Sequence, residues 1–419
     1  MVCHTFRIWN LLLVLLLAVV VFVVYQSELS FDISPPTWTT FSRKLDLVLA
    51  GRWSETNATG WAQEVESEQG TNPETPMPIL LPQNFSKTPV WDFDYVYNQD
   101  APPRQSTCQQ SLRNSEDESF RKEFLPNIRL FLHKDDINMS EWNRLSHFNS
   151  PFGFMGFTYD VMSSVKMIPM PQEPFFEPKP GSDGCIRCAV VGNAGILNGS
   201  KMGKEIDSHD FIFRMNGAVI QGYETDVGNK TSVYVHTAHT ITSSLSTLRK
   251  YNNMAIPHDE GIKYVMIPAG LRDYQFLGGL LKGDIVTAGS FKDKRPRMYY
   301  AGQYNESRFY VLYQDFLRYV RNRFLPSPRM EKKHWACYRP TTGALALFLA
   351  LHTCDQVDAY GFMTQDYSKY SNYYYHRNEK KRVPMVANHD LILEMKLWKQ
   401  LHDSKVIRLY QRLEPEPLM

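Results

Sequence analysis

The sequence predicts an α/β fold with a mostly parallel sheet flanked by helices, preceded by a membrane anchor and a long stem. Three observations support this prediction. An apolar run near the N-terminus is long enough to cross a bilayer, the composition changes near residue 106, and strand-length apolar runs then alternate with helix-like segments. The chain has 419 residues and 43% apolar content, enough for one large domain or two small ones.

The apolar run covers residues 8–25 and reads IWNLLLVLLLAVVVFVVY. A cleaved signal peptide is the alternative, but the run is long and no small-x-small site follows it. His4 and Arg7 precede it and acidic residues follow, which favours a cytosolic N-terminus. We therefore expect a cytoplasmic tail at 1–7, a signal-anchor at 8–25, and a lumenal remainder.

Residues 26–105 are rich in Pro, Ser, Thr, Glu and Gln and lack apolar periodicity, which predicts a largely disordered stem. Residues 106–419 are then the folded domain. Six N-x-S/T sequons agree with a lumenal position and are candidates for N-glycosylation: Asn57, Asn84, Asn138, Asn198, Asn229 and Asn305.

The alternation after residue 106 gives specific elements. The predicted strands are Cys188–Val191, Phe211–Met215, Ser232–His236, Tyr264–Ile267, Val357–Tyr360 and Val406–Leu409. The predicted helices are Tyr310–Arg323, Thr342–Thr353 and Leu391–Asp403.

Five of the six cysteines lie on the predicted lumenal side, where structural disulfides are expected. The CxxC at Cys185 and Cys188 lacks the second ligand pair of a zinc site, and it precedes a strand instead of opening a helix as a redox motif does. The predicted strand and helix positions favour a bridge from Cys188 to Cys354. Cys108 then pairs with Cys185, and Cys337 is left over.

Other function classes are disfavoured. A net charge of +2 does not indicate binding to nucleic acid. An oxidoreductase would need a GxGxxG turn and a ribose-binding acid, whereas the turn after the first long strand reads GNAG. Asp92 and Asp94 form a DxD-like string, but it lies at the end of the stem and not after a nucleotide-binding strand.

Four motifs resemble those of the animal sialyltransferases, in the family's order. Residues 188–235, CAVVGNAGILNGSKMGKEIDSHDFIFRMNGAVIQGYETDVGNKTSVYV, resemble the large sialyl motif. Residues 340–362 resemble the small motif, SNYYYH at 371–376 the third, and HDLILE at 389–394 the very small motif. The strings CIRCAVVGNAGILNG and LHTCDQVDAYGF resemble the α-N-acetylgalactosaminide α-2,6-sialyltransferases of types I and II.

This resemblance implies a Rossmann-like, GT-A-variant fold and a Golgi type II membrane enzyme. It implies inverting transfer of sialic acid from CMP-N-acetylneuraminic acid to O6 of GalNAc in mucin-type O-glycans, with or without Gal, and with no metal or other cofactor. It also implies the same disulfide pairing. The alternatives are the same chemistry on another acceptor, such as a sialylated Gal-GalNAc core or a glycolipid, or a catalytically silent lumenal protein that binds nucleotide or glycan.

Site residues follow from the matched motif positions. His389 corresponds to the general base, and histidine suits that role because a neutral imidazole accepts a proton near neutral pH. Glu394 is expected to orient a group near the site. The expected donor-binding residues are Asn193, Asn216, Thr341, Thr342, Gly343, Gly361, Tyr373, Tyr374 and His376. The third motif often begins with His-Tyr, so either Tyr373 or His376 takes the position near the phosphate.

Overall fold

The computed structural model describes residues 75–251, 255–377, 383–386 and 388–412. The predicted tail (1–7), the predicted anchor (8–25), the stem up to residue 74 and the sequon at Asn57 lie outside the described residues. Within the described part of the chain, no helix combines the length and apolar character needed to cross a membrane.

The described residues form one eight-stranded sheet. Its strands are β1 (Phe131–Leu132), β2 (Arg187–Val191), β3 (Phe211–Met215), β4 (Val233–His236), β5 (Lys263–Met266), β6 (Phe309–Leu312), β7 (Gln356–Tyr360) and β8 (Arg408–Leu409). All six predicted strands are present, and their ends differ from the prediction by at most two residues.

The strand order is β1-β6-β5-β4-β3-β2-β7-β8. Only the short edge strand β1 runs antiparallel to its neighbour, and every other pair is parallel. The chain proceeds from β2 outward through β3, β4, β5 and β6, then returns to place β7 on the other side of β2. The order therefore reverses at β2, and in such sheets ligands bind beyond the carboxyl ends of the strands at that point.

Helices cover both faces of the sheet. They are α1 (Glu118–Glu123), α2 (Met139–Leu145), α3 (Met162–Val165), α4 (Gly203–Asp207), α5 (Glu224–Val227), α6 (Ala238–Thr247), α7 (Leu271–Lys282), α8 (Gln314–Tyr319), α9 (Thr342–Thr353) and α10 (Leu391–Asp403). The sequence-based bounds of α9 and α10 are confirmed.

Helix α9 is the central packing element. Every residue from Ala344 to Thr353 is buried, as expected for a helix that is apolar on all sides. It contacts β2, β3, β4 and β7. Its position beneath the centre of the sheet brings its first turn to the edge where those strands end.

One predicted helix is partly wrong. The segment Tyr310–Arg323 was expected to be helical throughout, but Phe309–Leu312 is strand β6, and the helix begins at Gln314 and continues as a π-helical turn at Val320–Phe324. All four residues of β6 are buried. A short apolar run of aromatic and β-branched residues fits a doubly covered strand as well as a buried helix, so periodicity alone does not separate the two.

The predicted boundary between stem and domain at residue 106 is also corrected. Residues 75–105 pack on the domain: Tyr97 is buried, the Asn98 N–H donates to Asp315 at 2.8 Å, and the Trp91 indole donates to the His147 carbonyl at 3.2 Å. The composition did not predict that residues 75–105 are folded, because their aromatic side chains insert into the domain one at a time and are not periodically spaced. The folded unit therefore begins before residue 106.

The predicted disulfides are confirmed. Cys108 bridges Cys185, and Cys188 of β2 bridges Cys354 at the end of α9. Cys337 is unbridged and exposed. The CxxC therefore supplies one half of each of two bridges, which tie the strand entering the GNAG turn to an N-terminal segment and to the central helix.

The described sequons lie at or near the surface. Asn84, Asn138, Asn229 and Asn305 are exposed, and Asn198 is half-buried. The occupancy of these positions stays a prediction.

Candidate active site

A cavity of about 500 Å³ opens at the carboxyl edge of the sheet. Residues that directly follow β2, β3, β4, β5 and β7 line it, together with the first turn of α9 and the segment that leads into α10. This is the position where the strand order reverses, so the topology alone predicts a ligand site here.

Glycines allow the turn after β2 to approach the end of β7. The Gly192 N–H donates to the Tyr360 carbonyl at 2.7 Å, and the Ala194 N–H donates to the Gly361 carbonyl at 2.9 Å. A Cβ on Gly192 would lie 2.5 Å from the Gly361 oxygen. Gly361 has φ +68°, and a Cβ there would lie 2.6 Å from the Leu197 side chain. Gly361 lines the cavity, and its role in binding the donor stays a prediction.

Asn193 and Asn216, two of the expected donor-binding residues, both line the cavity. The Asn193 amide donates to the Met215 carbonyl at 3.1 Å, which fixes the side chain across the ends of β2 and β3. Asn216 has φ +54°, so it is a turn former as well. Its Oδ1 is buried and has no hydrogen-bond partner within the described part of the chain. A buried acceptor at a cavity wall suits a ligand that donates a hydrogen bond.

Thr341, Thr342 and Gly343 also line the cavity, but their roles differ from the prediction. Thr341 is the N-cap of α9, and its Oγ1 accepts from the Ala344 N–H at 3.0 Å. Its own N–H and hydroxyl both donate to Glu394 at 2.7 Å, so the expectation that they face the nucleotide is corrected. The amides of Thr342 and Gly343 belong to the first helical turn, which has no acceptors within the helix. They suit an anionic ligand.

Glu394 is buried, and it anchors Thr341 through both carboxylate oxygens. Burial raises the pKa of Glu394 to about 7, although the two hydrogen bonds from Thr341 oppose the shift. The expectation that Glu394 orients a group near the site agrees with these contacts. The group is the backbone and hydroxyl of the α9 N-cap.

His389 lines the cavity just before α10. Its Nδ1 lies 2.8 Å from the Arg339 carbonyl oxygen, which can only accept, so Nδ1 carries the proton and Nε2 presents a lone pair. The Asn388 amide nitrogen lies 3.1 Å from Nε2. Burial lowers the pKa of His389, and the charges of Arg339 and Arg329 lower it further, against the raising effect of the Arg339 carbonyl. The imidazole is therefore held neutral, in the tautomer that accepts a proton at Nε2.

The third motif packs against the turn after β2. Ala194 forms a β-bridge with Tyr373, and the Tyr374 N–H donates to the Asn193 carbonyl at 3.1 Å. Tyr373 is 37% exposed and lines the cavity. A phenol there can donate a hydrogen bond to an anion without carrying charge.

Two predicted binding residues lie away from the cavity. Tyr374 is buried, and its hydroxyl donates to the Val219 carbonyl at 2.5 Å, so it is a core residue beneath the site. His376 is 9% exposed, and its ring stands 5.1 Å from that of Tyr373, without lining the cavity. Tyr374 and Tyr375 form a turn that the His376 N–H closes by donating to the Tyr373 carbonyl at 3.0 Å. Neighbouring side chains leave a turn in different directions, which explains why the motif could not assign its tyrosines individually.

The sequence interpretation missed three basic cavity residues. His239 follows β4, Arg272 follows β5 in the first turn of α7, and Arg339 precedes α9; all three line the cavity. The signal that was available is positional. Because β4 and β5 were predicted, polar residues just beyond their carboxyl ends were candidates for the same edge.

The DxD-like pair Asp92 and Asp94 does not line this cavity. Among the described residues, no group of three or more His, Cys, Asp or Glu side chains is arranged to hold a metal ion.

The comparisons with known proteins agree with the motifs. The family model of glycosyltransferase family 29 (sialyltransferase) matches residues 131–406. The chain is 45% identical over 341 residues to alpha-N-acetylgalactosaminide alpha-2,6-sialyltransferase 1 of Gallus gallus, covering 80% of this chain and 60% of that protein. It is 42% identical over 298 residues to the type 2 enzyme of Homo sapiens, covering 70% of this chain and 79% of that protein. The matches to the type 1 enzymes span 57% to 65% of those proteins' lengths.

The fold is similar to a solved structure, described as a mammalian sialyltransferase. The TM-score is 0.53 at 23% sequence identity, over 73% of this chain and 99% of that chain. A second structure, of a mammalian sialyltransferase in complex with Gal-beta-1-3GalNAc-ortho-nitrophenol, has a TM-score of 0.52, again at 23% identity. At this identity the likeness concerns the fold.

Proposed function

The chain belongs to glycosyltransferase family 29, the sialyltransferases, and from this premise we propose that it transfers sialic acid from CMP-sialic acid to O6 of GalNAc in mucin-type O-glycans. Relatives with 41% to 45% identity are named alpha-N-acetylgalactosaminide alpha-2,6-sialyltransferases. Acceptors are O-glycosylated glycoproteins that carry GalNAc on Ser or Thr, with or without Gal.

The observation that carries the mechanism is the hydrogen bond from His389 Nδ1 to the Arg339 carbonyl. It leaves Nε2 as the proton acceptor, and the acceptor hydroxyl takes the place of the Asn388 amide, whose nitrogen lies 3.1 Å from Nε2. As O6 attacks the anomeric carbon, the O6–carbon bond forms, the bond from carbon to the phosphate oxygen breaks, and the O6 proton moves to Nε2. Attack from the face opposite CMP inverts the configuration.

The leaving CMP carries the negative charge that develops, and the donors around it stabilise that charge. We assign this role to the free amides of Thr342 and Gly343, with the Tyr373 hydroxyl as a further donor. The Oδ1 of Asn216 accepts a hydrogen bond from the cytosine amino group or a ribose hydroxyl. These groups supply the stabilisation without a metal ion, so the proposed reaction is metal-independent.

The proposed location is the Golgi membrane, with residues 8–25 as a single-pass anchor and the domain in the lumen. Two disulfides in the described domain support an oxidising compartment.

A transfer assay in EDTA tests this function. The full chain in detergent is given labelled CMP-sialic acid with a GalNAc-Ser/Thr peptide or a Gal-terminated glycoprotein, and the product linkage is determined. We expect label on O6 of GalNAc. Label on Gal alone would contradict the proposed acceptor, and binding of CMP without transfer to either substrate would favour a silent nucleotide-binding protein.

A further inference from the structure

A basic cluster, defined as His239, Arg272 and Arg339, occupies one part of the cavity. Its members are electrostatic neighbours, because the charges of Arg272 and Arg339 both act on His239, and Arg272 acts on Arg339. His239 is exposed, and the two arginines are half-exposed. The positive charge of the two arginines therefore faces the space that a ligand enters.

One buried carboxylate partly offsets this charge. Asp273 is fully buried, and its Oδ1 accepts from the Ala238 N–H at 2.8 Å. Its Oδ2 lies 3.9 Å from Arg272 Nε and has no hydrogen-bond partner within the described ranges. Asp273 balances at most one of the two guanidinium charges, so the basic cluster keeps a net positive charge.

Arg339 is held through its backbone, and its side chain faces the cavity. Its backbone N–H donates to the Asn388 carbonyl, and its carbonyl accepts from His389. Asp273 is the carboxylate whose charge acts on its guanidinium, and no hydrogen bond joins that guanidinium to a described residue. Burial lowers its pKa. Partly buried arginines are normally paired, so a guanidinium without such a hydrogen bond beside the base is placed to meet an anion.

Arg272 lies away from the end of the cavity assigned to the nucleotide, whereas Arg339 lies between that end and the other two members, just before α9. The sheet order places β5 three strands from β2, which is about 14 Å at about 4.8 Å per strand. Asn193, Asn216 and the α9 amides belong to the β2 and β3 side. Arg272 follows β5 and His239 follows β4, so Arg272 lies two strands and His239 one strand beyond the β3 end that carries Asn216.

We propose that the basic cluster is a subsite for a carboxylate on the acceptor, carried either by a sialic acid already attached to the glycan or by an acidic side chain of the peptide. The planar guanidinium fork matches a carboxylate in a bidentate pair. This inference rests on the proposed function, and it adds a determinant of acceptor choice to it.

Four glycopeptides with one backbone test the subsite: GalNAc alone, GalNAc beside a glutamate, Gal-GalNAc, and sialylated Gal-GalNAc. The full chain in detergent is assayed as wild type, Arg339→Gln, Arg339→Lys and Arg272→Gln, at a pH above the acid limb of activity. Arg295→Gln is the matched control, since Arg295 is exposed and does not line the cavity.

We expect Arg339→Gln and Arg272→Gln to raise KM for a carboxylate-bearing acceptor by about 10- to 100-fold. With Arg272→Gln the neutral acceptors should change by no more than about twofold. Because Arg339 also holds His389, Arg339→Gln is judged by a larger loss on carboxylate-bearing than on neutral acceptors, and Arg339→Lys should be intermediate because it keeps the charge but not the fork. An effect confined to the sialylated glycan identifies the glycan as the source, and one confined to the glutamate peptide identifies the peptide. Either supports the subsite.

Equal losses on neutral and anionic acceptors would overturn the subsite, as would a rise in KM for CMP-sialic acid. If Arg339→Gln fails to fold, Arg272→Gln decides by the same criteria. Absence of transfer by the wild type to all four glycopeptides would instead overturn the proposed function, so the two failures are distinguishable.

Discussion

Glu394 accepts two hydrogen bonds from Thr341, both at 2.7 Å, one from the backbone N–H and one from the hydroxyl. This pair joins helix α10, which directly follows His389, to the N-cap of helix α9, whose first amides line the cavity. The proposed base and the proposed phosphate-binding turn are therefore held together by a buried contact on the protein side of the cavity.

The Glu394–Thr341 contact predicts a dependence of stability on pH. Burial raises the pKa of Glu394 from 4.5 to about 7 in the folded state, so its contribution is fully present below pH 4.5 and is lost as pH rises through 7. Glu394→Gln removes this titration but keeps an acceptor for the Thr341 N–H. Relative to the variant, we expect the wild type to lose on the order of 3 kcal/mol of unfolding free energy across that window.

Denaturant unfolding of the two proteins at several pH values measures this difference. Glu306→Gln is the control, because Glu306 is exposed and lies outside the cavity. A difference between wild type and Glu394→Gln that is constant from pH 4.5 to 7 would show that Glu394 titrates normally.

The pH dependence of the rate is predicted from His389. Its pKa lies below the usual 6.5 because of burial and of the nearby arginine charges, and the base must be neutral to act. Activity should therefore fall only when the pH drops below 6.5. Arg329→Gln removes one of those charges and should move the acid limb of kcat/KM to higher pH, whereas Arg329→Lys should leave it in place. If the acid limb of kcat/KM is unchanged in Arg329→Gln, that limb does not arise from titration of His389.

Asn216 is predicted to bind the donor through its unpartnered Oδ1. Asn216→Gly removes that acceptor and still permits the φ of +54°. The Tyr234 hydroxyl bonds to the Asn216 backbone carbonyl, so this contact survives. We expect KM for CMP-sialic acid to rise about 2- to 10-fold, with little change for the acceptor.

Asp293→Gly is the matched control, since Asp293 also has positive φ but is exposed. An equal effect in both variants would argue against a contact with the donor.

The bridge between Cys188 and Cys354 closes a sequence separation of 166 residues. In the chain-entropy model such a loop contributes about 5 kcal/mol, an upper figure. The double variant Cys188→Ala and Cys354→Ala should therefore lose several kcal/mol of unfolding free energy in denaturant titrations. Cys337→Ser should match the wild type because Cys337 is unbridged. A double variant as stable as the wild type would mean that the bridge adds nothing to the fold.

The sequence predicted most of the sheet and the motif positions, and its failures have physical causes. The β2 to β5 and β7 strands and helix α9 were found because long apolar runs mark elements that are covered on both sides. Strand β6 was misassigned because Phe309–Leu312 lacks any period that separates strand from helix. The packing of Tyr97 was missed because it depends on a single side chain meeting a distant residue, Tyr319.

Predictions for the candidate site were likewise partly correct and partly wrong. The motifs gave the correct segments, but side-chain direction decided the roles of individual residues. Thr341 faces Glu394 and Tyr374 faces the core, and neither direction is encoded in a motif match. His239 and Arg272 were missed because they belong to no motif, although the end of a parallel strand precedes each of them.

The most direct test of the central claim compares His389→Ala with the wild type in single-turnover transfer to a GalNAc peptide, alongside calorimetric binding of CMP. His334→Ala is the control, as an exposed histidine outside the cavity. The account predicts a loss of about 10²- to 10⁴-fold in the rate of transfer, with CMP affinity unchanged within about twofold. A His389→Ala enzyme that transfers sialic acid within tenfold of the wild-type rate would contradict it.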